Sequence, residues 1–254
     1  MRNLKKFETH AEYEAAKSSL ILPNVSICKD TPNEVHYNPY VVDPCESEKV
    51  KTTYEWVEIG GVKWATKNVG ALTVTDYGQK FSWGGVNGYT NDQVSGSCHS
   101  KAFSWADYEL GNGGSSASDM TKYNATDGLT TLAATDDAAT VNMGSGWRMP
   151  TTAEFQALGT ATTTAWTSSY EGSGVAGLVL TSKADSSVKL FFPAAGGCSN
   201  GSVNAVGRLG SYWSSSLGTS FKQSAYYMVF NSGSVYWHDG SDRYYGGAVR
   251  GVAG

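Results

Sequence analysis

In the stretch Tyr212-Trp-Ser-Ser-Ser216 … Ala225-Tyr-Tyr-Met-Val-Phe-Asn-Ser-Gly-Ser-Val-Tyr-Trp237 … Ala248-Val-Arg-Gly251, two kinds of position alternate. Trp213, Tyr226, Met228, Phe230, Val235, Trp237 and Val249 are residues that a core demands. Phe221, Ser224, Tyr227, Val229, Ser234, Tyr236, His238, Asp239, Asp242 and Tyr245 are residues that no core dictates. Alternation with period two is the pattern of half-buried strands, whose successive side chains point to opposite faces. The second set is therefore expected on one face and its connecting loops, with Ser241, Tyr244 and Gly247 beside it. Tyr, Ser, His, Asp and Gly are the composition of a paratope: rigid amphipathic rings supply contact area, and small polar groups supply adaptable hydrogen bonds. These thirteen positions are the candidate ligand-binding residues.

Working outward, strands are expected at Ala176–Ser182, Val188–Phe192, Ser211–Ser215, Ala225–Asn231, Ser234–Trp237 and Ala248–Val252, with a tight turn at Asn231-Ser-Gly233. Trp56-Val-Glu-Ile59, Gly60-Gly61 and Val62-Lys-Trp64 read as a hairpin closed by a two-residue turn. Thr151-Thr-Ala-Glu154 is a capping box that opens a helix to about Leu158, and Asp136–Met143 holds one helical turn or two. Residues 111–135, poor in large apolar groups, read as a long surface loop. The class is α+β, dominated by strands.

Residues 1–50 differ in kind, with six basic and eight acidic side chains. Thr9-His-Ala-Glu12 opens a short helix over Glu12–Leu20, Pro23 stops it, and Pro32, Pro39 and Pro44 leave room only for an edge strand at Val35–Tyr37. The segment is either an attachment or oligomerisation arm or a loosely ordered leader. The ligand-binding domain then spans 54–254, with a variable region at about 212–250.

Across the 254 residues, aromatics make up 12 % and charged residues 17 %, and the net charge of -4 has no basic patch to grip nucleic acid. No stretch approaches the ~20 apolar residues of a membrane span, and the N-terminus lacks the apolar run of a secretory signal. Cys28, Cys45, Cys98 and Cys198 show no CxxC spacing, so free or buried thiols are favoured over a disulfide or metal framework.

Five motifs, in order, carry a family resemblance: Trp64-Ala-Thr-Lys-Asn68, Gly144-Ser-Gly-Trp-Arg-Met-Pro-Thr151, Phe191-Phe-Pro-Ala-Ala-Gly196, Tyr212-Trp-Ser-Ser-Ser216 and Val249-Arg250. Over 54–254 the chain resembles a bacterial paralogous domain of gut Bacteroidetes and Fibrobacter, which is similar to the C-type lectin fold and to the formylglycine-generating-enzyme group. Its tail looks like that of a diversity-generating retroelement's variable protein, in which template adenines are mutated and the copy replaces the 3′ end of the gene. The resemblance implies that Asn codons become Tyr, Ser, Asp, His, Phe, Gly or Val, but not Trp, Met, Lys, Gln or Glu. The candidate set lies in the reachable group, while Trp213, Met228 and Trp237 lie outside it; Lys222 and Gln223 also lie outside and are expected to be fixed. Pro23-Asn-Val-Ser-Ile-Cys-Lys-Asp30 and Val35-His-Tyr-Asn-Pro39 look similar to the leader of structural proteins in Bacteroides phages and prophages. That implies a virion location at a tail or fibre tip, contact with other tail proteins through the arm and, by family analogy alone, a homotrimer.

No catalytic or metal site is read. The Glu-Pro-Asn, Gln-Pro-Asp and Trp-Asn-Asp tripeptides of calcium-binding lectins are absent, and Asp239 and Asp242 read as solvated loop acids. The enzymatic relatives oxidise through a cysteine pair with copper, whereas Cys198 stands alone in the C-terminal half. Trp147, Arg148, Trp213 and Arg250 are expected in the scaffold, with the guanidinium groups on buried carbonyls or carboxylates. The expectation is a receptor-binding protein, not an enzyme and without a cofactor, that engages a bacterial surface protein or glycan. A fixed-specificity adhesin at the bacterial cell surface and a descendant of the formylglycine-generating enzymes are the competing readings.

Overall fold

The protein is described by a computed structural model over residues 54–96 and 100–254. The chain divides into Met1–Val50 and Lys51–Gly254, and the described residues belong to the second unit. The expected arm, with its helix and edge strand, lies outside them, as do Cys28, Cys45, Cys98, His10, His36 and His99.

The described fold is α+β and strand-dominated, with sheets of four, three, three and two strands. Strands β1 (Trp56–Ile59) and β2 (Val62–Ala65) form the expected hairpin, with Ile59 opposite Val62. Gly60 and Gly61 both take positive φ (62° and 77°), which a two-residue turn of this twist requires and which a side chain would resist. Strand β12 (Val252–Ala253) inserts between β2 and β3 (Trp147–Arg148), so the end of the tail is clasped by residues far upstream. Just before it, Arg250 is fully buried and donates to Asn68 Oδ1 and to the carbonyls of Ala65, Thr66 and Phe191 at 2.8–2.9 Å. Four acceptors keep a cation tolerable where burial pulls its pKa down to about 10. The expected scaffold role of Arg250 is thus met by carbonyls rather than by a carboxylate.

Three α-helices stand among the described residues: α1 (Asn91–Ser95), α2 (Ala138–Met143) and α3 (Thr152–Ala161). The Thr151 hydroxyl accepts from the Glu154 N–H at 3.2 Å, and Glu154 Oε2 accepts from the Thr151 N–H at 2.8 Å, closing the predicted capping box. Glu154 also takes both amino groups of Arg148, at 2.5 and 2.8 Å. Arg148 is therefore half-exposed, its guanidinium on a carboxylate as expected of the scaffold, and Trp147, half-buried, rests on Tyr54 (5.9 Å); neither is fully buried. Helix α3 outruns the expected end by three residues and passes directly into β4 (Thr162–Thr167). That strand pairs with β5 (Gly177–Ser182), and β5 with β6 (Lys189–Pro193). Strands β7 (Gly197–Ser199) and β8 (Ser202–Asn204) form a small hairpin.

The C-terminal sheet has the order β11-β10-β9, with β9 Gly210–Leu217, β10 Ser224–Phe230 and β11 Val235–Asp242. Strands β9 and β10 are covered on both faces. On one side Tyr212, Met228 and Phe230 join Trp64, Phe155, Leu158, Leu178 and Phe192 in a first core, with Val235 and Trp237 packed against it. On the other, Trp213, Leu217 and Ala225 join Phe81, Trp83, Tyr123, Met149 and Val249 in a second. Trp213 stands opposite Tyr227, one residue out of phase with the Tyr212–Met228 pair, so it does not share a core face with Met228. The stretch expected as a strand at Ala248–Val252 threads between elements instead: only Val252 and Ala253 are regular, and Ala248 makes an isolated bridge to Tyr212. Residues 111–135 form a loop with 3-10 turns at Ala117–Asp119 and Ala134–Asp136, but Met120, Tyr123 and Leu132 anchor it in the interior.

Candidate ligand-binding face

Strand β11 is an edge strand of its sheet, and it carries the most accessible part of the candidate set. Tyr236 is 57 % exposed, His238 and Asp239 are exposed, and Phe221 in the loop before β10 is 63 % exposed. The ladder pairs Tyr227 with Asp239 and Val229 with Tyr236, so Met228 alone faces Trp237 and His238. That extra residue is a bulge, which twists an edge strand and re-aims its side chains. It lets Trp237 reach the first core while His238 lies against the Tyr226 ring at 4.1 Å. Asp239 and Asp242 sit on this strand, not in a loop as expected.

Most of the predicted face is less free than the alternation implies. Val229 is only 9 % exposed and Gly247 is buried, and both leave the set of surface contacts. The second core covers that side of β10, and Gly247 exchanges two 2.9 Å backbone hydrogen bonds with Phe81. An added Cβ at Gly247 would meet the Trp213 indole nitrogen at 2.8 Å. Tyr227 and Tyr245 are half-buried and pack on the same core, Tyr227 against Trp213 at 5.6 Å. Burial, reinforced by the facing Asp239 carboxylate, pushes the Tyr227 hydroxyl up to about 12. Burial raises Tyr245 as well.

Ser224, Ser234, Ser241, Asp242 and Tyr244 are half-buried. Ser234 closes the predicted turn, its N–H and hydroxyl both donating to Asn231 Oδ1 (3.1 and 3.3 Å). Tyr244 leans edge-on against Trp105 at 4.8 Å, a residue from outside the tail. Desolvation raises the pKa of Asp242, whose carboxylate makes no hydrogen bond or ion pair among the described residues. The face thus presents the exposed Phe221, Tyr236 and His238 rings beside the Asp239 and Asp242 carboxylates. Among the described residues no three His, Cys, Asp or Glu side chains cluster to hold a metal ion.

Arg243 is the residue that sequence reasoning missed. It is fully buried, and its guanidinium donates to Tyr108 Oη (2.8 Å) and to the carbonyls of Tyr123 (3.2 Å), Lys222 (3.1 Å) and Lys122 (2.9 Å). The rings of Trp83, Tyr108 and Tyr123 surround it at 4.9–5.8 Å. One side chain thereby ties the Phe221 loop and the long 111–135 loop to the end of β11. A signal was present: Arg243 is the sole Lys or Arg between Gln223 and Val249. A lone cation in a cation-free, aromatic stretch is a poor solvating group and a good internal latch. Set against protein families, curated proteins and solved structures, the chain matches none of them.

Proposed function

We propose that this chain is a C-type-lectin-like binding protein whose C-terminal face, diversified by a retroelement, recognises a protein or glycan of a bacterial surface from a phage tail or fibre tip. The observation that carries the reading is the contrast along the tail. Phe221, Tyr236, His238 and Asp239 are exposed, Phe221 in the loop before β10 and the others on β11, yet that strand is held to the first core by Val235 and Trp237 and is followed directly by the buried Arg243. A rigid frame reduces the entropy lost when exposed side chains bind. The N-terminal segment is the part proposed to join other tail proteins. A fixed-specificity adhesin has the same binding chemistry and differs in having an invariant tail.

Binding of the labelled protein to a panel of gut bacterial strains tests the reading. The wild type is expected to decorate particular strains, and the double variant Phe221→Ser/Tyr236→Ser to lose them while its melting temperature barely moves. Unchanged decoration by that variant would place recognition elsewhere.

A further inference from the structure

Between α3 and the edge strand β11 lies an open, shallow groove of about 490 Å³, lined by Gln156, Gly159 and Thr160 of the helix and by Tyr236, Trp237 and His238 of the strand. We propose that this groove is a glycan subsite, taking an uncharged pyranose ring of the surface receptor. The inference rests on the binding role of the C-terminal face and adds a ligand class and a helix that the candidate set did not include.

Three observations converge on that class. The first is the way the groove is built. Gly159 sits inside a helix, where glycine costs about 1 kcal/mol relative to alanine. An added Cβ there would lie 2.5 Å from the Trp237 indole, so the bare backbone lets helix and indole close together as the groove floor. The second is the balance of chemistry. Tyr236 and Trp237 offer rings, and the C–H face of a pyranose is the apolar surface that fits a flat ring. The Gln156 amide, the Tyr236 hydroxyl and the His238 imidazole make no hydrogen bond to other described residues, and Gln156 and His238 are exposed. Donors and acceptors left uncommitted around a ring suit a ligand that carries a hydroxyl on nearly every carbon. The third is charge. No carboxylate, lysine or arginine lines the groove, and Lys183 is turned to the Thr160 carbonyl at 2.7 Å. A sialylated or phosphorylated ligand would find no counter-charge among the lining residues. An extended peptide is the less favoured occupant, because the groove is only a few residues long.

The test is titration with methyl glucoside, methyl galactoside and methyl mannoside, followed by an array of neutral and sialylated oligosaccharides. The readouts are the NMR shift of the Trp237 indole N–H and retention on the array. At least one neutral sugar is expected to move the Trp237 resonance at millimolar concentration. Gln156→Ala and Tyr236→Ala are each expected to weaken that binding at least about tenfold, or ~1.4 kcal/mol, whereas Leu72→Ser, on an exposed loop apart from the groove, leaves it unchanged. The proposal falls if no neutral sugar moves the resonance, if only sialylated glycans are retained, or if both groove variants bind like the wild type. If it falls while strain decoration is still lost in Phe221→Ser/Tyr236→Ser, the binding face survives and only the glycan groove is wrong. If decoration is indifferent to that double variant, the broader reading fails on its own test.

Discussion

Arg243 and Lys80 are both fully buried cations, and the fold treats them in opposite ways. Arg243 spreads its fork over four oxygens, whereas the Lys80 ammonium has no hydrogen-bond partner among the described residues. Removing the guanidinium leaves a phenol and three carbonyls stranded, so Arg243→Met is expected to cost about 3 kcal/mol or more, read as a lower urea midpoint. Arg243→Lys should not rescue it, because a single ammonium cannot reach the same fork of acceptors. Lys80→Met, in contrast, is expected to raise stability. Burial lowers the Lys80 pKa from 10.5 to about 8, a cost of about 3 kcal/mol. The folded state binds fewer protons than the unfolded chain above pH 8, so the cost is complete below that pH and is relieved as pH rises through it. Cys198, raised from 9.0 to about 11 by burial, acts the other way once pH passes 9. Urea melts of the wild type should therefore show stability climbing between about pH 8 and 9, a rise that Lys80→Met abolishes. A flat wild-type profile there would mean that Lys80 is solvated or paired. The aromatic, otherwise cation-free stretch around Arg243 hinted at its burial, but its partners were not legible there, because Tyr108, Lys122 and Tyr123 come from far along the chain.

At the scale of elements, the sequence spoke most clearly where the chemistry is local. Gly60-Gly61 and the Thr151–Glu154 box are decided within four residues, and both are found as read. The same rules pass over two elements that were open to them. Thr90-Asn-Asp-Gln93 is a capping box that opens α1, and Asn200-Gly201, both at positive φ, turns β7 into β8. Strand β4 had no such signal: its burial does not alternate, and its pairing with β5 sustains it. Helix α3 also bears a tertiary demand that local propensity contradicts. Gly159→Ala should strengthen an isolated helix, yet here it is expected to destabilise the fold by about 1–3 kcal/mol, because the new methyl enters the Trp237 ring. Chemical denaturation decides the sign. A stabilised Gly159→Ala would show that Trp237 can withdraw from the helix.

For the molecule as a whole, period two in the tail marked the strands but assigned their faces only in part: Met228, Phe230 and Trp237 share the first core, whereas Trp213 and Val249 lie in the second, on the side of Tyr227. Strand β10 lies between two cores, so the free surface moves outward to β11 and the Phe221 loop. Val229, Gly247 and much of Tyr227 and Tyr245 became interior for that reason, since one strand's alternation cannot reveal a second layer contributed by Phe81, Trp83 and Tyr123. The exposed remainder is the account's central claim: a ligand, not the fold, chooses these residues. Loss of both large exposed rings in Phe221→Ser/Tyr236→Ser should change stability by no more than about 0.5 kcal/mol in a denaturant titration. The most direct measurement is deep sequencing of the gene's 3′ end, with its flanking DNA, across the source population. Substitutions concentrated at Phe221, Tyr236, His238 and Asp239, with Trp213, Met228, Phe230, Arg243 and Arg250 unchanged and an adenine-bearing template repeat nearby, are the predicted result. An invariant tail without a template, or substitutions spread equally over Met228, Phe230 and Arg243, would contradict the account.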